Sequence, residues 1–291
     1  MTDHETTVRS RELGEALRAA LQKAGLTGKE LAHRLEWSPS EVSRMLSGKR
    51  TARESDVAAL LGFCGVGGKE HARLIALCRE ANQPGWWQRY GSHLPKHLRT
   101  YLDHEDKATA VFEYSPLLVP GSLQTGGYAR EIIANAVNIP ADEVEERVAA
   151  RLARASIFSR SRAANFTFIV AESVLRLPIG GVVVMSEQLH YLLRMSVRSN
   201  VSLRVIPTEA GAHIGTGGPF TLLEFADIRP VAYLENHVSS LFIEERDETS
   251  VFRRIRTALA KLALPEAQSR DLIGNLAIEL YQDGEDSDER S

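Results

Sequence analysis

Serine and arginine side chains share one face of a short predicted helix, and their spacing suits contact with DNA. The residues on this face are Ser38, Ser40, Ser43, Arg44 and Ser47. A guanidinium can pair bidentately with guanine, and serine hydroxyls can bond to base edges or phosphates. Lys49 and Arg50 follow the helix and suit the phosphate backbone. The pattern therefore predicts a recognition helix over about 38–47 that enters the major groove.

The recognition helix has clear boundary signals. Ser38 stands at the N-cap, Pro39 at the first helical position and Glu41 at the third, which is a capping-box spacing. Gly48 marks the C-terminal end, because glycine adopts the left-handed backbone found there. The expected buried face consists of Val42, Met45 and Leu46. Burial of that face leaves the serines, Pro39 and Arg44 free to meet DNA.

Another helix lies just before the recognition helix and completes a helix-turn-helix pair. Thr27 and Glu30 form a capping box of their own. Gly28 and Lys29 follow the cap, where bare backbone N–H groups can bind a phosphate. We therefore expect Thr27, Gly28 and Lys29 to lie at the DNA as well. Any small helical domain contains paired helices, but two capping boxes and a polar, then basic, second helix favour DNA binding.

Residues 27–50 resemble the lambda-repressor-like, Xre-type helix-turn-helix. Ala32 matches the small residue of the family's first helix, and Val42 matches the buried residue of its second. Glu36 departs from the pattern, because the turn needs a left-handed backbone that costs a residue other than glycine ~1 kcal/mol. Gly28 departs as well, since a phosphate-anchoring glutamine often stands there. The resemblance implies a DNA-binding domain.

Length and composition indicate two globular domains without a cofactor. The chain has 291 residues, of which 43% are hydrophobic and 25% charged. Its formal net charge is −3, so DNA affinity has to come from a local basic patch and is expected to depend on salt. We expect Cys64 and Cys78 to be buried thiols, with no metal site. The absence of a signal peptide or long apolar stretch predicts a cytoplasmic protein without a membrane partner.

Changes of pattern divide the chain into four segments. Apolar periodicity predicts five helices over 9–81, which form the helix-turn-helix DNA-binding domain. A linker with Pro, Gly and Trp follows at 82–95, and a larger α/β domain for sensing or interaction occupies 96–281. The acidic segment 282–291 is expected to be a disordered tail.

The larger domain alternates helical and strand patterns. Helices are predicted at 97–112, 140–160, 186–199, 247–262 and 265–281. Strands are predicted at 166–172, 201–207, 218–225, 231–236 and 239–245, the last three as an antiparallel meander. The expected fold class is α+β overall. An all-α, five-helix, lambda-repressor-like domain precedes a mixed α/β domain with a central sheet of about five strands.

Candidate contacts for a ligand or partner lie in the linker and the larger domain. They are Trp86, Trp87, Glu172, His213, Gly215, Gly217 and Glu235. The Gly-rich loop 208–220 can hold a phosphate or carboxylate through its N–H groups, although a long connection that merely needs turns is the simpler interpretation. Packing of the linker is likewise the simpler interpretation of the tryptophans. His213 with Glu172 or Glu235 can form an acid–base pair, but no nucleophile elbow is visible and no catalytic residue is assigned.

The larger domain is similar to the C-terminal domain of an actinobacterial regulator family. The similarity runs from about Trp86 to Tyr281 and includes VPGSLQTGGYA and VSLRVIPTEAGAHIGTGGPFTLLEF. Members couple an Xre-type helix-turn-helix to this domain, which has no established activity. The resemblance implies a role in development and a small partner protein encoded nearby.

These patterns predict a regulator of transcription that binds double-stranded DNA as a homodimer. The larger domain is expected to aid dimerisation and to sense a small-molecule effector or a protein partner. One alternative is an adaptor whose helical domain contacts a small partner protein. A second alternative is an enzyme carried on a DNA-binding head, with His213 and Glu172 as its acid–base pair.

Overall fold

The computed structural model describes residues 8–50, 52–82, 94–160, 163–226, 228–236 and 239–288. The chain forms two compact units. Among the described residues, the first unit holds those up to Asn82 together with Pro95–Lys107, and the second holds Leu94 and those from Ala108 onward.

Within the described part of the first unit there are six helices. They are α1 (Val8–Lys23), α2 (Gly28–Leu35), α3 (Pro39–Leu46), α4 (Glu54–Phe63), α5 (Gly68–Ala81) and α6 (Lys96–Lys107). The first five are the helices expected for the DNA-binding domain. Their apolar faces meet in one core, in which Leu17, Leu31 and Leu60 have no exposed surface. Burial of such faces is what stabilises helices as short as α2 and α3.

The sixth helix belongs to the first unit, whereas the sequence places residues 96–107 in the second domain. It packs on α1, where Nη1 of Arg11 lies 2.8 Å from Nε2 of His104. The buried imidazole is satisfied on its other side, because its Nδ1 lies 2.7 Å from the carbonyl oxygen of Thr100. Helical periodicity indicates which residues of a helix are buried but not which neighbouring element buries them, so the sequence does not reveal the partner.

The second unit contains a six-stranded mixed sheet. Its strands are β1 (Ala110–Ser115), β2 (Asn165–Ala171), β3 (Val201–Ile206), β4 (Phe220–Glu224), β5 (Val231–Glu235) and β6 (Ser240–Ile243). Their order in the sheet is β3-β2-β1-β4-β5-β6. The neighbours β1, β2 and β3 pair in parallel, and β4, β5 and β6 form the predicted antiparallel meander.

The sheet has one strand more than the five that were located from sequence, because the residues of β1 were divided between a helix at 97–112 and a following loop. Helix α6 ends at Lys107, and β1 then pairs in parallel with β2 and antiparallel with β4. The strand is therefore where the parallel and antiparallel halves of the sheet meet. Its Val111, Phe112 and Tyr114 are buried on both faces, which removes the alternation that identifies a strand from sequence.

The described residues of the second unit also form six α-helices between and after the strands. They are α7 (Gly126–Ala134), α8 (Val144–Ala153), α9 (Glu172–Arg176), α10 (Gly181–Ser196), α11 (Arg246–Leu262) and α12 (Glu266–Asp288). The single helix expected over 140–160 is α8 with a 3₁₀ turn on either side, Ala141–Glu143 and Arg154–Ser159. The last helix continues into the segment expected to be a disordered tail and is helical over 282–288. Residues 282–288 contain no proline, so the packed part of α12 can propagate into them.

Candidate nucleic-acid interface

Both helices of the predicted pair begin with complete capping boxes. In α2, the Thr27 hydroxyl accepts from the Glu30 N–H at 3.2 Å, and the Glu30 carboxylate accepts from the Thr27 N–H at 2.7 Å. In α3, Ser38 and Glu41 repeat the arrangement at 3.2 and 3.0 Å. The Thr27 N–H lowers the pKa of the Glu30 carboxyl group, and the Ser38 N–H lowers the pKa of the Glu41 carboxyl group. Both predicted boundaries are confirmed.

The turn between α2 and α3 has the left-handed backbone expected for it. Glu36 has φ 55° and ψ 33°, and it is the one non-glycine residue with positive φ among the described residues. Directly after the turn, the Trp37 N–H donates to the carbonyl oxygen of Ala32 at 2.9 Å. The Trp37 side chain packs against the core of the unit, as expected for an apolar residue joining the two helices.

Helix α3 presents a polar face to solvent. Val42 and Met45 are 1% and 2% exposed, so they bury the opposite face. The exposed residues are Ser38, Pro39, Ser40, Ser43 and Arg44. Ser47 is half-buried, and its hydroxyl donates to the carbonyl oxygen of Arg44 at 3.2 Å. The structure therefore brings most of the predicted recognition residues onto one accessible surface.

Helix α1 holds the C-terminal end of α3 through contacts that the sequence analysis missed. A Cβ at Gly14 would collide with the carbonyl oxygen of Leu46. The same carbonyl accepts a hydrogen bond from the Arg18 guanidinium. Gly48 has φ 68°, and a Cβ there would lie 2.7 Å from the carbonyl oxygen of Ser10. An isolated glycine within a helical pattern, as at position 14, is the signal that could have revealed this close approach.

The cations at this surface differ in their surroundings. Lys29, Arg44 and Lys49 are exposed, and within the described ranges no carboxylate lies at ion-pair distance from them. Arg50 is held instead: its Nη2 lies 3.3 Å from Asp56 Oδ2, and its Nη1 lies 3.8 Å from Glu41 Oε1. The first three cations are thus available to an anionic partner, and Arg50 is already paired.

Two protein-family models match the chain. Residues 98–275 match a domain of unknown function, DUF5753, and residues 12–74 match a helix-turn-helix domain, HTH_31. The chain belongs to the DUF5753 family. The helix-turn-helix match supports the role of a DNA-binding regulator. Comparison with curated proteins and with solved structures finds no match.

In the DUF5753 domain, Glu172 and His213 have separate partners. The Glu172 carboxylate accepts from the Thr208 N–H at 3.0 Å and from Arg176 Nε at 2.8 Å. The Thr208 N–H, followed by the Arg176 guanidinium, lowers the pKa of Glu172 against the opposing effect of burial. Nδ1 of His213 accepts from the Gly215 N–H at 3.0 Å. Among the described residues Glu172 and His213 share no hydrogen bond, so the structure does not assemble the suggested acid–base pair.

The other candidate contacts of the DUF5753 domain are dispersed. Gly215 is buried, and a Cβ there would lie 2.5 Å from the hydroxyl oxygen of Tyr114, so this glycine permits close packing. Gly217 is exposed, and Glu235 is exposed on β5 opposite Ser240 of β6. Trp86 and Trp87 lie outside the described residues. Glu172 also lines a cleft of about 350 Å³ between α9 and α12, together with Arg176 and Glu279.

Among the described residues there is no candidate metal site and no candidate membrane-spanning helix. No group of three or more His, Cys, Asp or Glu residues is arranged to hold a metal ion there. Within the same ranges no helix combines the length and apolar character needed to cross a bilayer. Cys64 and Cys78 are free thiols, and burial raises the pKa of Cys78 to about 11. At neutral pH that thiol is uncharged and suits its place in the core of the first unit.

Proposed function

We propose that the chain is a sequence-specific regulator of transcription and that α3 reads base edges in the major groove. The observation that carries the proposal is the division of α3 into two faces. Val42 and Met45 anchor one face in the core, while the serines and Arg44 of the other face are accessible. A helix that is fixed on one side and polar on the other can enter the groove without refolding.

The contacts divide into base-reading and phosphate-binding groups. Arg44 is the candidate for a bidentate contact with guanine, supported by Ser40 and Ser43 on the same surface. The N-terminus of α2, at Thr27, Gly28 and Lys29, offers N–H groups to a phosphate. Lys49 follows α3 and adds a positive charge. Base contacts set the sequence preference, and phosphate contacts set the register of the protein on DNA.

Binding of purified protein to DNA from its own promoter region tests this function. We expect Arg44→Ala to weaken specific binding by about 1–3 kcal/mol, or roughly 5- to 150-fold, at fixed salt. Arg73→Ala is the matched control, because Arg73 is an exposed arginine on α5 paired with Glu70. Equal binding by wild type and Arg44→Ala would remove Arg44 from recognition. Absence of any wild-type complex at about 50 mM salt, where phosphate contacts are strong, would favour the adaptor alternative.

We assign dimerisation and signal reception to the DUF5753 domain. A homodimer would place two α3 helices on half-sites about one helical turn of DNA apart. An effector, either a small molecule or a protein, would act by changing the relative placement of those two helices. Sedimentation of the chain with and without DNA tests the dimer. Membership of the Xre family, actinobacterial origin and a developmental role remain predictions from the resemblance.

A further inference from the structure

We propose that Arg50 is a positioning residue of the DNA-binding surface that bridges Glu41 and Asp56 and offsets part of their negative charge, and that it is not itself a phosphate ligand. The proposal rests on the proposed function, because it assigns a role within DNA binding. It departs from the expectation, drawn from sequence, that Arg50 contacts the phosphate backbone. The geometry around the guanidinium carries the argument.

The Arg50 guanidinium joins three parts of the first unit. One nitrogen, Nη2, lies 3.3 Å from Asp56 in the first turn of α4. The other terminal nitrogen lies 3.8 Å from Glu41 in the first turn of α3. The central carbon lies 5.8 Å from the ring centroid of Trp37, which follows the turn between α2 and α3. Two ion pairs and an aromatic contact therefore hold one side chain, which is 31% exposed.

Neither carboxylate can move away from the surface at low cost. Glu41 accepts the Ser38 N–H at 3.0 Å and the Ser38 hydroxyl at 2.9 Å, so its position is set by the cap of α3. The Asp56 side chain is only 16% exposed, and its Oδ1 lies 3.4 Å from the Ser55 hydroxyl. If Arg50 turned toward a phosphate, both negative charges would remain beside the recognition helix without it. Like charges at a charged interface weaken association.

The neighbouring cations are less constrained. The pKa of Glu41 is lowered by the hydrogen bonds from Ser38, then through space by the charge of Arg50 and last by that of Arg44. Arg44 and Lys49 are exposed, and within the described ranges neither has a carboxylate at ion-pair distance, so both can bind DNA without breaking an ion pair. The same surface thus contains cations that are available to DNA and one that is committed to the protein.

The salt dependence of binding to promoter DNA tests the proposal. We expect Arg50→Gln to weaken binding about twofold, because the group formed by Arg50, Glu41 and Asp56 then carries one more negative charge about 10 Å from a phosphate in water. The slope of log K against log salt should stay as in wild type, because no phosphate contact is lost. Asp56→Asn alone should leave binding equal or tighter. Both changes nearly preserve side-chain volume, and circular dichroism of each full-length variant verifies folding.

Other roles for Arg50 give different results. A phosphate ligand would also lower the salt slope by about one when it is replaced, and that result overturns the proposal. A purely structural ion pair would make Asp56→Asn as damaging as Arg50→Gln, which overturns it as well. Should a variant unfold, Arg50→Lys provides the second test: it keeps the charge and should bind within about twofold of wild type.

Lys49→Gln is the matched control. As the loss of a direct phosphate contact, it should lower the salt slope by about one. If wild type fails to bind any duplex, the proposed function falls and the role of Arg50 falls with it. If wild type binds but Arg50→Gln lowers the salt slope as Lys49→Gln does, only the role of Arg50 is overturned.

Discussion

Replacing Glu36 with glycine should stabilise the helix-turn-helix pair. Glu36 sits in the left-handed region, at φ 55° and ψ 33°, where the Cβ of any L-residue crowds the following carbonyl oxygen. Its side chain is exposed, so removing it gives up little packing. Glycine lacks the Cβ and adopts this conformation without the steric penalty.

The expected gain is the difference between two known effects. Glycine avoids the steric cost of the left-handed conformation, which is about 1–2 kcal/mol for a residue with a Cβ. Glycine also has more freedom in the unfolded chain, which costs about 0.4–1 kcal/mol. The net stabilisation is therefore about 0.5–1 kcal/mol, local to α2, the turn and α3.

Hydrogen exchange on the full-length chain measures this change where it occurs. Amides of α2 and α3 should exchange about two- to fivefold more slowly in Glu36→Gly than in wild type, since 1.4 kcal/mol corresponds to tenfold. Glu36→Ala is the matched control, because it removes the same side chain but keeps the Cβ. Equal protection in the glycine and alanine variants would refute the assignment of strain to this turn.

Three further predictions concern the first unit. Gly14→Ala should destabilise it by about 1–3 kcal/mol in thermal unfolding, because the new methyl group meets the backbone carbonyl of Leu46, which cannot rotate away. Ser38→Ala should cost about 1 kcal/mol in the same assay by removing the cap of α3, whereas Ser43→Ala on the exposed face should be near neutral. Burial holds the pKa of His104 at about 3 instead of 6.5, so the unfolded state takes up the proton first. The free energy of unfolding should therefore fall as the pH drops from 6.5 toward 3, and denaturant titrations should show a weaker fall in His104→Gln.

The sequence predicted the helix-turn-helix pair well because its signals are local. A capping box joins residues three positions apart, so Thr27 with Glu30 and Ser38 with Glu41 can be recognised without knowing the fold. The left-handed turn at Glu36 follows from the chain reversal that two such short helices require. The exposed face of α3 likewise follows from helical periodicity once its apolar face is assigned.

The same reasoning was less successful where contacts join distant residues. Strand β1 is recognisable by its pairing with β2 and β4, which lie far along the chain. The hydrogen bond from the Thr208 N–H to the Glu172 carboxylate likewise joins residues far apart along the chain, and nothing in the sequence indicates it.

By itself, then, the amino-acid sequence determined which segment forms the helix-turn-helix pair, since caps, turns and periodicity act within a few residues. Only the tertiary structure decided which of its basic side chains already has an ion-pair partner. Arg44 and Arg50 are both basic residues at or just after α3, and nothing in their local sequence separates them. They differ because Asp56 of α4 lies 3.3 Å from Arg50 and forms an ion pair with it. An ion pair depends on distance in space and not along the chain.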